Sequence, residues 1–381
     1  MKIAIVGSSH PYRGGLAAYN ERLAKEYQDN NHDVIVYTFT LQYPNFLFPG
    51  ETQFSSEQKP PNLKIVRCIN SVNPLNWLSV GNKIRKSRPD ILVIKFWLPF
   101  MGPCFGTILR LVKRNRHTKV ICIVDNYIPH EKRLGDKIFT KYFSKPIDAF
   151  IAMSKSVLKD LELYEKDKPN CLSPHPLFDN FGSKVSKIEA CKFLGLRHDI
   201  RYMLFFGLIR DYKGLDILIK AFSDDRFRNQ NIKLIIAGEY YGNREFYENL
   251  IEQNKLNQDI IQFNKFIPDS EVKYFFNAAD LIVQPYKSAT QSGVTQIAFH
   301  FEKPMILTDV GGLSELCPDG KVGYLTKVNI EEIAEAISRF YGDTDIAKMV
   351  ENIKKEKIKY SWSVMVNAIN KLIEKANEIH Q

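Results

Sequence analysis

The feature that most constrains the fold of this sequence is an alternation of short apolar runs with longer amphipathic patterns. Five such runs occupy the first part of the chain: 3–6, 34–38, 91–94, 120–124 and 150–152. Stretches with helical periodicity lie between them. Short buried strands that alternate with helices are typical of βαβ units, so we predict a parallel sheet covered by helices.

A second series of the same kind follows, with apolar runs at 203–206, 234–237, 260–263, 281–283 and 305–307. Between the two series, Pro174 and Pro176 rule out a continuous helix or a central strand. The pattern therefore predicts an α/β protein with two doubly wound domains, residues 1–178 and 179–360. A last helical stretch, about 361–381, could pack back on the first domain or stay with the second.

The length, net charge and cysteine pattern of the chain agree with two folded domains and indicate the cellular compartment and the type of partner. A length of 381 residues exceeds what one hydrophobic core usually serves. The net charge of +10 suits an anionic partner, namely nucleic acid, a membrane surface or a phosphorylated substrate. The six cysteines are scattered and form no Cys-x-x-Cys pair, which favours a reducing cytoplasm. No run of about eighteen apolar residues occurs, so we expect only peripheral membrane contact.

The segment from Phe205 to Gly214 carries the strongest chemical signal. It leads from a buried strand, through a turn that contains Gly207, into a helix predicted from Leu215 to Phe222. Backbone N–H groups at a helix start attract anions, and an arginine with a lysine adds a fork and a point charge for phosphate oxygens. We predict a diphosphate site here, and a solvated basic turn is the plainer alternative.

A second loop, from Pro285 to Gln296, also joins a strand end to an apolar helix. Its small hydroxyl residues and Gly293 would let backbone amides approach a ligand closely. Helix capping by Ser292 or Thr290 would explain the same residues.

The second half of the chain resembles the nucleotide-sugar domain of retaining glycosyltransferases of the GT-B fold, in glycosyltransferase family 4 (group 1). The resemblance implies two Rossmann-like domains that face each other across a cleft. The motifs that carry it are Gly207 with Arg210 and Lys213-Gly214, Ala237-Gly238-Glu239, Ala278-Ala279-Asp280, Lys303-Pro304, Thr308-Asp309-Val310-Gly311-Gly312 with Glu315, and Gly320 with Gly323.

The resemblance also implies roles for individual residues. Arg210 and Lys213 would hold the donor diphosphate and stabilise its charge during transfer, and Phe266 with Ile267 would lie beside the base. The donor-binding set is Gly14, Gly15, Gly207, Phe266, Ile267, Gln291, Ser292, Gly293, Val294, Thr295 and Gln296. The donor would be a UDP- or GDP-linked sugar, and no cofactor is implied.

The loop departs from the family at two positions. The family usually carries two glutamates eight positions apart before the Lys-Pro element, and counting back from Lys303 places Ala289 and Ile297 there. The loop is similar to that of a subgroup with a Ser-Gly-Val sequence, in which Gln291 and Gln296 are the nearest polar substitutes.

The first half supplies candidates for the acceptor side. Gly14 and Gly15 follow the first strand and resemble the glycine loop that faces the donor in this family. Asp125 ends the strand 120–124, where relatives commonly place a histidine, and His130 follows in a Pro-His-Glu element. Asp125 would receive the proton of the acceptor hydroxyl and His130 would orient the acceptor or the leaving phosphate. An ordinary surface position is the alternative for His130.

An Asp-x-Asp pair, Asp343 and Asp345, precedes a helix predicted from Ile346 to Ile353. Some transferases hold a divalent ion with such a pair. Capping of the helix explains the pair better here, so we predict no metal.

Two segments suggest a lipid surface as a partner. One runs from Phe96 to Met101 and on through an apolar stretch that ends in Arg110, Lys113, Arg114 and Arg116. The other, from Lys132 to Lys145, interleaves five basic residues with aromatic and aliphatic ones. Basic amphipathic segments with aromatics can lie on anionic lipid. Packing of these apolar faces on the sheet, with the charges merely solvated, is the alternative.

The sequence thus predicts a retaining glycosyltransferase that uses a glycan or lipid-linked acceptor, in cell-surface polysaccharide or glycolipid synthesis. We expect it in the cytoplasm, peripheral on the inner face of the plasma membrane, without a nucleic-acid partner. A non-catalytic nucleotide-sugar-binding subunit and a nucleotide-sugar epimerase stay open. A nicotinamide dehydrogenase is disfavoured because no Gly-x-Gly-x-x-Gly fingerprint follows the first strand.

Overall fold

The structure of the protein is a computed structural model that describes residues 1–44, 48, 50–128, 135–228 and 230–378. The chain forms two compact units. The first comprises Met1–Phe48, Thr52–Pro176 and Ser361–Gln381, and the second comprises Pro49–Glu51 and Leu177–Tyr360. In the described part of the chain, no helix is both long enough and apolar enough to span a bilayer.

The first unit is built on a parallel sheet of seven strands in the order β3-β2-β1-β4-β5-β6-β7. Its strands are β1 Lys2–Val6, β2 Asp33–Leu41, β3 Lys64–Asn70, β4 Ile91–Phe96, β5 Lys119–Val124, β6 Ala149–Ala152 and β7 Asn170–Leu172. Its helices are α1 Gly15–Asp29, α2 Pro74–Ser87, α3 Gly102–Lys113, α4 Asp136–Ser144, α5 Lys155–Tyr164 and α13 Trp362–Glu378. The last of these contacts α1, β5, β6 and β7.

The second unit repeats this design with six parallel strands in the order β10-β9-β8-β11-β12-β13. Its strands are β8 Arg201–Phe206, β9 Ile232–Ala237, β10 Ile260–Phe263, β11 Leu281–Gln284, β12 Met305–Thr308 and β13 Gly323–Thr326. Its helices are α6 Lys187–Leu194, α7 Leu215–Phe222, α8 Arg244–Gln253, α9 Asp269–Ala278, α10 Gly293–His300, α11 Ile330–Gly342 and α12 Ile346–Glu356.

All ten predicted strands are confirmed, because each apolar run lies within an observed strand. The central strands are buried along most of their length, and in β4 all six residues are buried. A strand covered by helices on both faces must be apolar on both faces, which is why these runs are continuous.

The strand order marks one position on each sheet where the chain reverses direction across the sheet. In the first unit this position lies between β1 and β4, and in the second it lies between β8 and β11. Loops that leave the carboxyl ends of two such strands diverge to opposite faces and leave a crevice for a ligand. The segments predicted to bind phosphate follow β8 and β11 directly.

Candidate functional site

The turn after β8 is shaped by two glycines with positive φ angles, 98° at Gly207 and 68° at Gly214. A Cβ atom built on Gly214 would lie 1.9 Å from the carbonyl oxygen of Pro285, so only glycine fits against the loop after β11. The helix that follows begins at Leu215 and ends at Phe222, as predicted.

Lys213 lies inside this turn and is buried. Its ammonium nitrogen lies close to Gly207, because a Cβ atom built on Gly207 would be 3.1 Å from Nζ. The same Cβ would be 3.6 Å from the side chain of Val294, in the first turn of α10. The ring centroid of Tyr286 is 5.6 Å from Nζ. Burial and the nearby charge of Arg210 lower the pKa of Lys213 to about 8.

Within the described ranges, the structure gives the Lys213 ammonium no hydrogen bond and no ion pair. A buried charge without a counter-charge is costly, and proteins normally pair it. Arg210 adds to the local positive charge, and its guanidinium lies 5.0 Å from the ring centroid of Tyr241. An anion next to these two cations would relieve both the desolvation of Lys213 and the repulsion from Arg210.

The turn after β8 is fixed to the loop after β11 through Lys287. Its backbone N–H donates to the carbonyl oxygen of Tyr212 at 2.7 Å. Its ammonium forms ion pairs with Asp211 at 2.7 Å and with Asp216 at 3.1 Å. Lys287 is therefore occupied in holding two loops together, in contrast to Lys213.

A buried glutamine, Gln284, organises the start of α10. The Ser292 hydroxyl donates to Gln284 Oε1 at 2.5 Å, and Gln284 Nε2 donates to Thr295 Oγ1 at 3.1 Å. Ser292 occupies the N-cap position but its side chain makes no capping hydrogen bond. The capping alternative is therefore wrong for Ser292, and no side chain among the described residues caps the first amides of α10.

Gly293 has a packing role in addition to any role at a ligand. A Cβ built on Gly293 would lie 2.7 Å from the ring of Phe178, so a larger residue would displace that ring. The backbone of α10 can start at this position only because residue 293 has no side chain.

The residues at and around the expected glutamate positions are buried. Ala289 and Ile297 occupy those positions, and the carbonyl oxygen of Ala289 accepts a hydrogen bond from Gly312 N–H at 3.3 Å. Gln296 is completely buried, and in the described structure neither polar atom of its side chain has a hydrogen-bond partner. Gln291 is half-buried at the preceding loop. An amide buried without partners is costly, which makes Gln296 the more notable of the two.

The residues predicted to lie beside the base follow β10 at the same edge of the sheet. Ile267 is buried and Phe266 is half-buried. In the sheet, β9 and β8 lie between β10 and β11. The turns after β8 and β9 pack closely, as shown by a Cβ built on Gly238, which would lie 2.1 Å from the carbonyl oxygen of Gly207.

In the first unit the glycine loop follows β1 as predicted. Gly14 has a φ of 98° and precedes the first residue of α1, and Gly15 is exposed at the helix start. A Cβ on Gly14 would meet no other atom, so its backbone conformation and not crowding selects glycine.

Asp125 directly follows β5 and is buried in an ion pair that the sequence analysis did not predict. Lys95 Nζ donates to Asp125 Oδ1 at 2.6 Å, and both side chains are at most 10% exposed. The ammonium also lies 4.2 Å from the ring centroid of Tyr19. Lys95 is the single charged residue in a strand that is otherwise wholly apolar, and this signal could have identified it.

His175 completes this buried cluster. Its ring packs against the ring of Tyr19 with centroids 5.2 Å apart. Burial and the charge of Lys95 lower the pKa of His175 to about 3, so the imidazole is neutral and its Nδ1–H donates to the carbonyl oxygen of Pro176 at 2.7 Å. His130, which the sequence analysis predicted together with Asp125 on the acceptor side, lies outside the described residues.

The Asp-x-Asp pair has a structural role. The Asp345 carboxylate accepts a hydrogen bond from Lys348 N–H and caps α12. Among the described residues, no three His, Cys, Asp or Glu side chains are grouped so that they could hold one metal ion. The expectation of metal-independent chemistry stays a prediction.

Comparison with known protein families gives one match in each half of the chain. Residues 13–170 match the profile of the family described as Glycosyltransferase Family 4, and residues 186–360 match that of Glycosyl transferases group 1. The chain carries the two domains of a group 1 glycosyltransferase.

Relatives of this glycosyltransferase align over its whole length. An uncharacterized glycosyltransferase of Methanocaldococcus jannaschii is 26% identical, over 99% of both chains. Sucrose-phosphate synthase of Thermosynechococcus elongatus has a TM-score of 0.75 at 15% identity, over 100% of both chains. HepE of Anabaena, solved in complex with UDP-glucose, has a TM-score of 0.71 at 16% identity, over 99% of this chain and 100% of that one. The predicted GT-B fold, with two Rossmann-like domains, is thus confirmed.

Proposed function

We propose that this glycosyltransferase moves a sugar from a nucleoside diphosphate sugar to a glycan or lipid-linked acceptor, with retention of the anomeric configuration. The observation that carries the proposal is the buried ammonium of Lys213, which has no counter-charge in the described structure and lies beside Gly207 and the first turn of α10. A diphosphate supplies the missing negative charge. The similarity to HepE, which binds UDP-glucose, supports a donor of this class.

In the proposed reaction, the bond between the anomeric carbon and the diphosphate oxygen breaks while the acceptor oxygen bonds to the same carbon. Negative charge then grows on the leaving diphosphate. Lys213, Arg210 and the uncapped amides at the start of α10 are the groups that would stabilise it. The Lys287 ion pairs and the Gln284 hydrogen bonds keep these groups in place before the donor arrives.

The acceptor side of the proposal rests on the first unit. Asp125 would receive the proton of the acceptor hydroxyl, and the hydrogen bond from Lys95 would hold its carboxylate in one orientation. The role of His130 is carried forward as a prediction from the sequence. Cell-surface polysaccharide or glycolipid synthesis is the setting we propose for this acceptor.

Donor binding is tested by thermal unfolding in the presence of nucleoside diphosphates and their sugar conjugates. A donor at a hundredfold excess over its Kd stabilises a protein by about 2.7 kcal/mol. We expect Arg210→Ala to lose this stabilisation and Lys220→Ala, at an exposed lysine of α7, to retain it. If no nucleoside diphosphate raised the unfolding temperature of the wild-type protein, the proposal would fail.

Catalysis and stereochemistry need separate measurements on the same protein. Proton NMR of the earliest product reports the anomeric configuration, and retention is the expected result. Stabilisation by a donor that is neither transferred nor hydrolysed would identify a binding subunit instead, and inversion at the anomeric carbon would contradict the retaining mechanism.

A further inference from the structure

Helix α4 of the first unit exposes three large apolar side chains. Ile138 is 72% exposed, Phe139 is 38% exposed and Tyr142 is 37% exposed. The opposite side of the helix is buried, and Phe143 stacks on Phe96 with ring centroids 4.3 Å apart. The alternative, in which the apolar face packs on the sheet and the charges are solvated, therefore accounts for Phe143 but not for these three exposed side chains.

Contacts with α3 hold the backbone of α4 at Phe139 and the side chain of Tyr142 in place. A Cβ built on Gly102 would lie 2.5 Å from the carbonyl oxygen of Phe139, and one built on Gly106 would lie 2.7 Å from the ring of Tyr142. The Tyr142 hydroxyl is 2.9 Å from the hydroxyl of Thr107. The guanidinium of Arg110 lies 3.7 Å from the Tyr142 ring centroid. The two small residues of α3 let α4 approach closely, so these apolar groups are presented outward by a rigid support.

Among the described residues in and next to α4, the exposed charged side chains are basic, and the acidic Asp136 of the first turn is half-buried. Lys137 and Lys141 are exposed on α4, and Lys145 is exposed directly after it. Across the described ranges, none of the three ammonium groups makes an ion pair or a hydrogen bond. Together with Ile138, Phe139 and Tyr142 they form a surface that we call the α4 face.

We propose that the α4 face docks on an anionic lipid bilayer. Apolar side chains at the centre of such a surface enter the region between headgroups and acyl chains, and lysines at its border attract anionic headgroups. An aromatic ring with a hydroxyl group, such as Tyr142, suits that boundary because one end is apolar and the other is polar.

The bilayer explains these residues better than another polyanion does. Nucleic acid would pair with the lysines but would gain little from the aliphatic side chain of Ile138, the most exposed apolar group of the α4 face, and an acidic protein would need an apolar patch of its own to cover that side chain. Delivery of the enzyme to a lipid-linked acceptor rests on the proposed function, whereas the docking itself does not.

Vesicle co-sedimentation of the full chain tests the docking. We expect binding to vesicles of mixed phosphatidylcholine and phosphatidylglycerol and little binding to phosphatidylcholine alone. Each exposed lysine near an anionic surface contributes about fivefold in affinity, so Lys141→Glu should weaken binding by at least that factor. Ile138→Ser should weaken it by a similar factor or more, because an inserted aliphatic side chain is lost.

Matched variants on α6 of the second unit supply the controls. Ile188 is 62% exposed and Lys192 is exposed, so Ile188→Ser and Lys192→Glu change the same groups elsewhere on the surface. Both should bind vesicles like the wild type, and all four variants should keep the wild-type unfolding temperature. Wild-type vesicle binding by Ile138→Ser and Lys141→Glu, or equal binding of the wild type to both vesicle compositions, would overturn the proposal. Because donor-dependent stabilisation is measured without lipid, it reports separately on the proposed function.

Discussion

Each of the two units buries a lysine ammonium near the carboxyl edge of its sheet, and the two lysines differ in their partners. Lys95 lies in β4, beside the reversal of strand order in the first unit, and pairs with Asp125 at 2.6 Å. Lys213 lies after β8, beside the reversal in the second unit, and in the described residues it has no carboxylate partner. A buried cation that is already neutralised has no charge left for an anionic ligand, whereas one that is not neutralised is suited to bind such a ligand.

The two lysines share one other feature. Each ammonium lies near the ring of a buried tyrosine, at 4.2 Å from Tyr19 for Lys95 and at 5.6 Å from Tyr286 for Lys213. The sign of the neighbouring charge is what differs, because Lys95 faces a carboxylate and Lys213 faces the guanidinium of Arg210. Burial alone therefore does not indicate function, and the charge of the partner decides.

Removal of Lys95 is expected to have the largest effect on stability. Lys95→Met would leave the Asp125 carboxylate buried without its partner, which typically lowers the free energy of unfolding by about 3–5 kcal/mol. The double variant Lys95→Met/Asp125→Asn should recover most of that loss, since no unpaired charge remains. Chemical denaturation measures both.

An exposed pair on α1 is the control for this experiment. Lys25 and Asp29 are 61% and 54% exposed, so Lys25→Met should change the free energy of unfolding by less than about 1 kcal/mol. Equal losses in Lys95→Met and Lys25→Met would show that the Lys95 pair contributes no more than a surface pair.

Removal of Lys213 is expected to act in the opposite direction on stability. Lys213→Met deletes a buried charge that has no partner in the described structure, so the donor-free protein should gain about 0.5–2 kcal/mol, the usual size of a single stabilising substitution. Transfer should fall by about 10²–10³-fold, because a group that stabilises the leaving diphosphate is lost. Denaturation without donor and initial transfer rates measure the two effects. A loss of stability as large as that of Lys95→Met would show that Lys213 has a structural partner.

The sequence predicted the central strands of both sheets and missed three of the four edge strands, since the edge strand β10 was predicted from its apolar run 260–263. β3, β7 and β13 were not predicted, and all three are edge strands. In β3, Lys64, Arg67 and Asn70 interrupt the apolar residues because one side of the strand meets solvent. Burial on both faces produces a continuous apolar run, and an edge strand does not need one.

The sequence predicted the candidate-site residues that are close together in the chain, and it missed the partners that only the packing of the strands brings together. Gly207, Arg210 and Lys213 lie within one turn, so their spacing already indicates an anion site. The Lys95–Asp125 pair joins adjacent strands separated by a helix in the chain, and Gln284 joins the end of β11 to the start of α10. Such partners become visible only when strand register is known, although a charged or amide residue at the end of a buried apolar strand is a signal for them.

The pH dependence of donor binding should show a smaller effect than the substitutions, but it tests the charge of Lys213 directly. Burial and Arg210 lower the pKa of Lys213 to about 8 from its ordinary 10.5, and the diphosphate binds the protonated form. Donor affinity should therefore be constant well below pH 8 and fall by up to about tenfold per pH unit above it. A bound diphosphate raises the pKa again, so binding near pH 8 should take up protons, which calorimetry in buffers of different ionisation enthalpy detects.

The donor-free protein should show the opposite trend. Between about pH 8 and 10.5 the unfolded chain holds the proton that folded Lys213 has released, so the free energy of unfolding rises with pH from this group. Lys303, whose pKa burial also lowers to about 8, contributes in the same direction, and the difference between wild type and Lys213→Met isolates Lys213. A donor affinity that is unchanged from pH 7 to pH 10 would show that the charge of Lys213 plays no part in binding, and the contrast with Lys95 would then have no functional meaning.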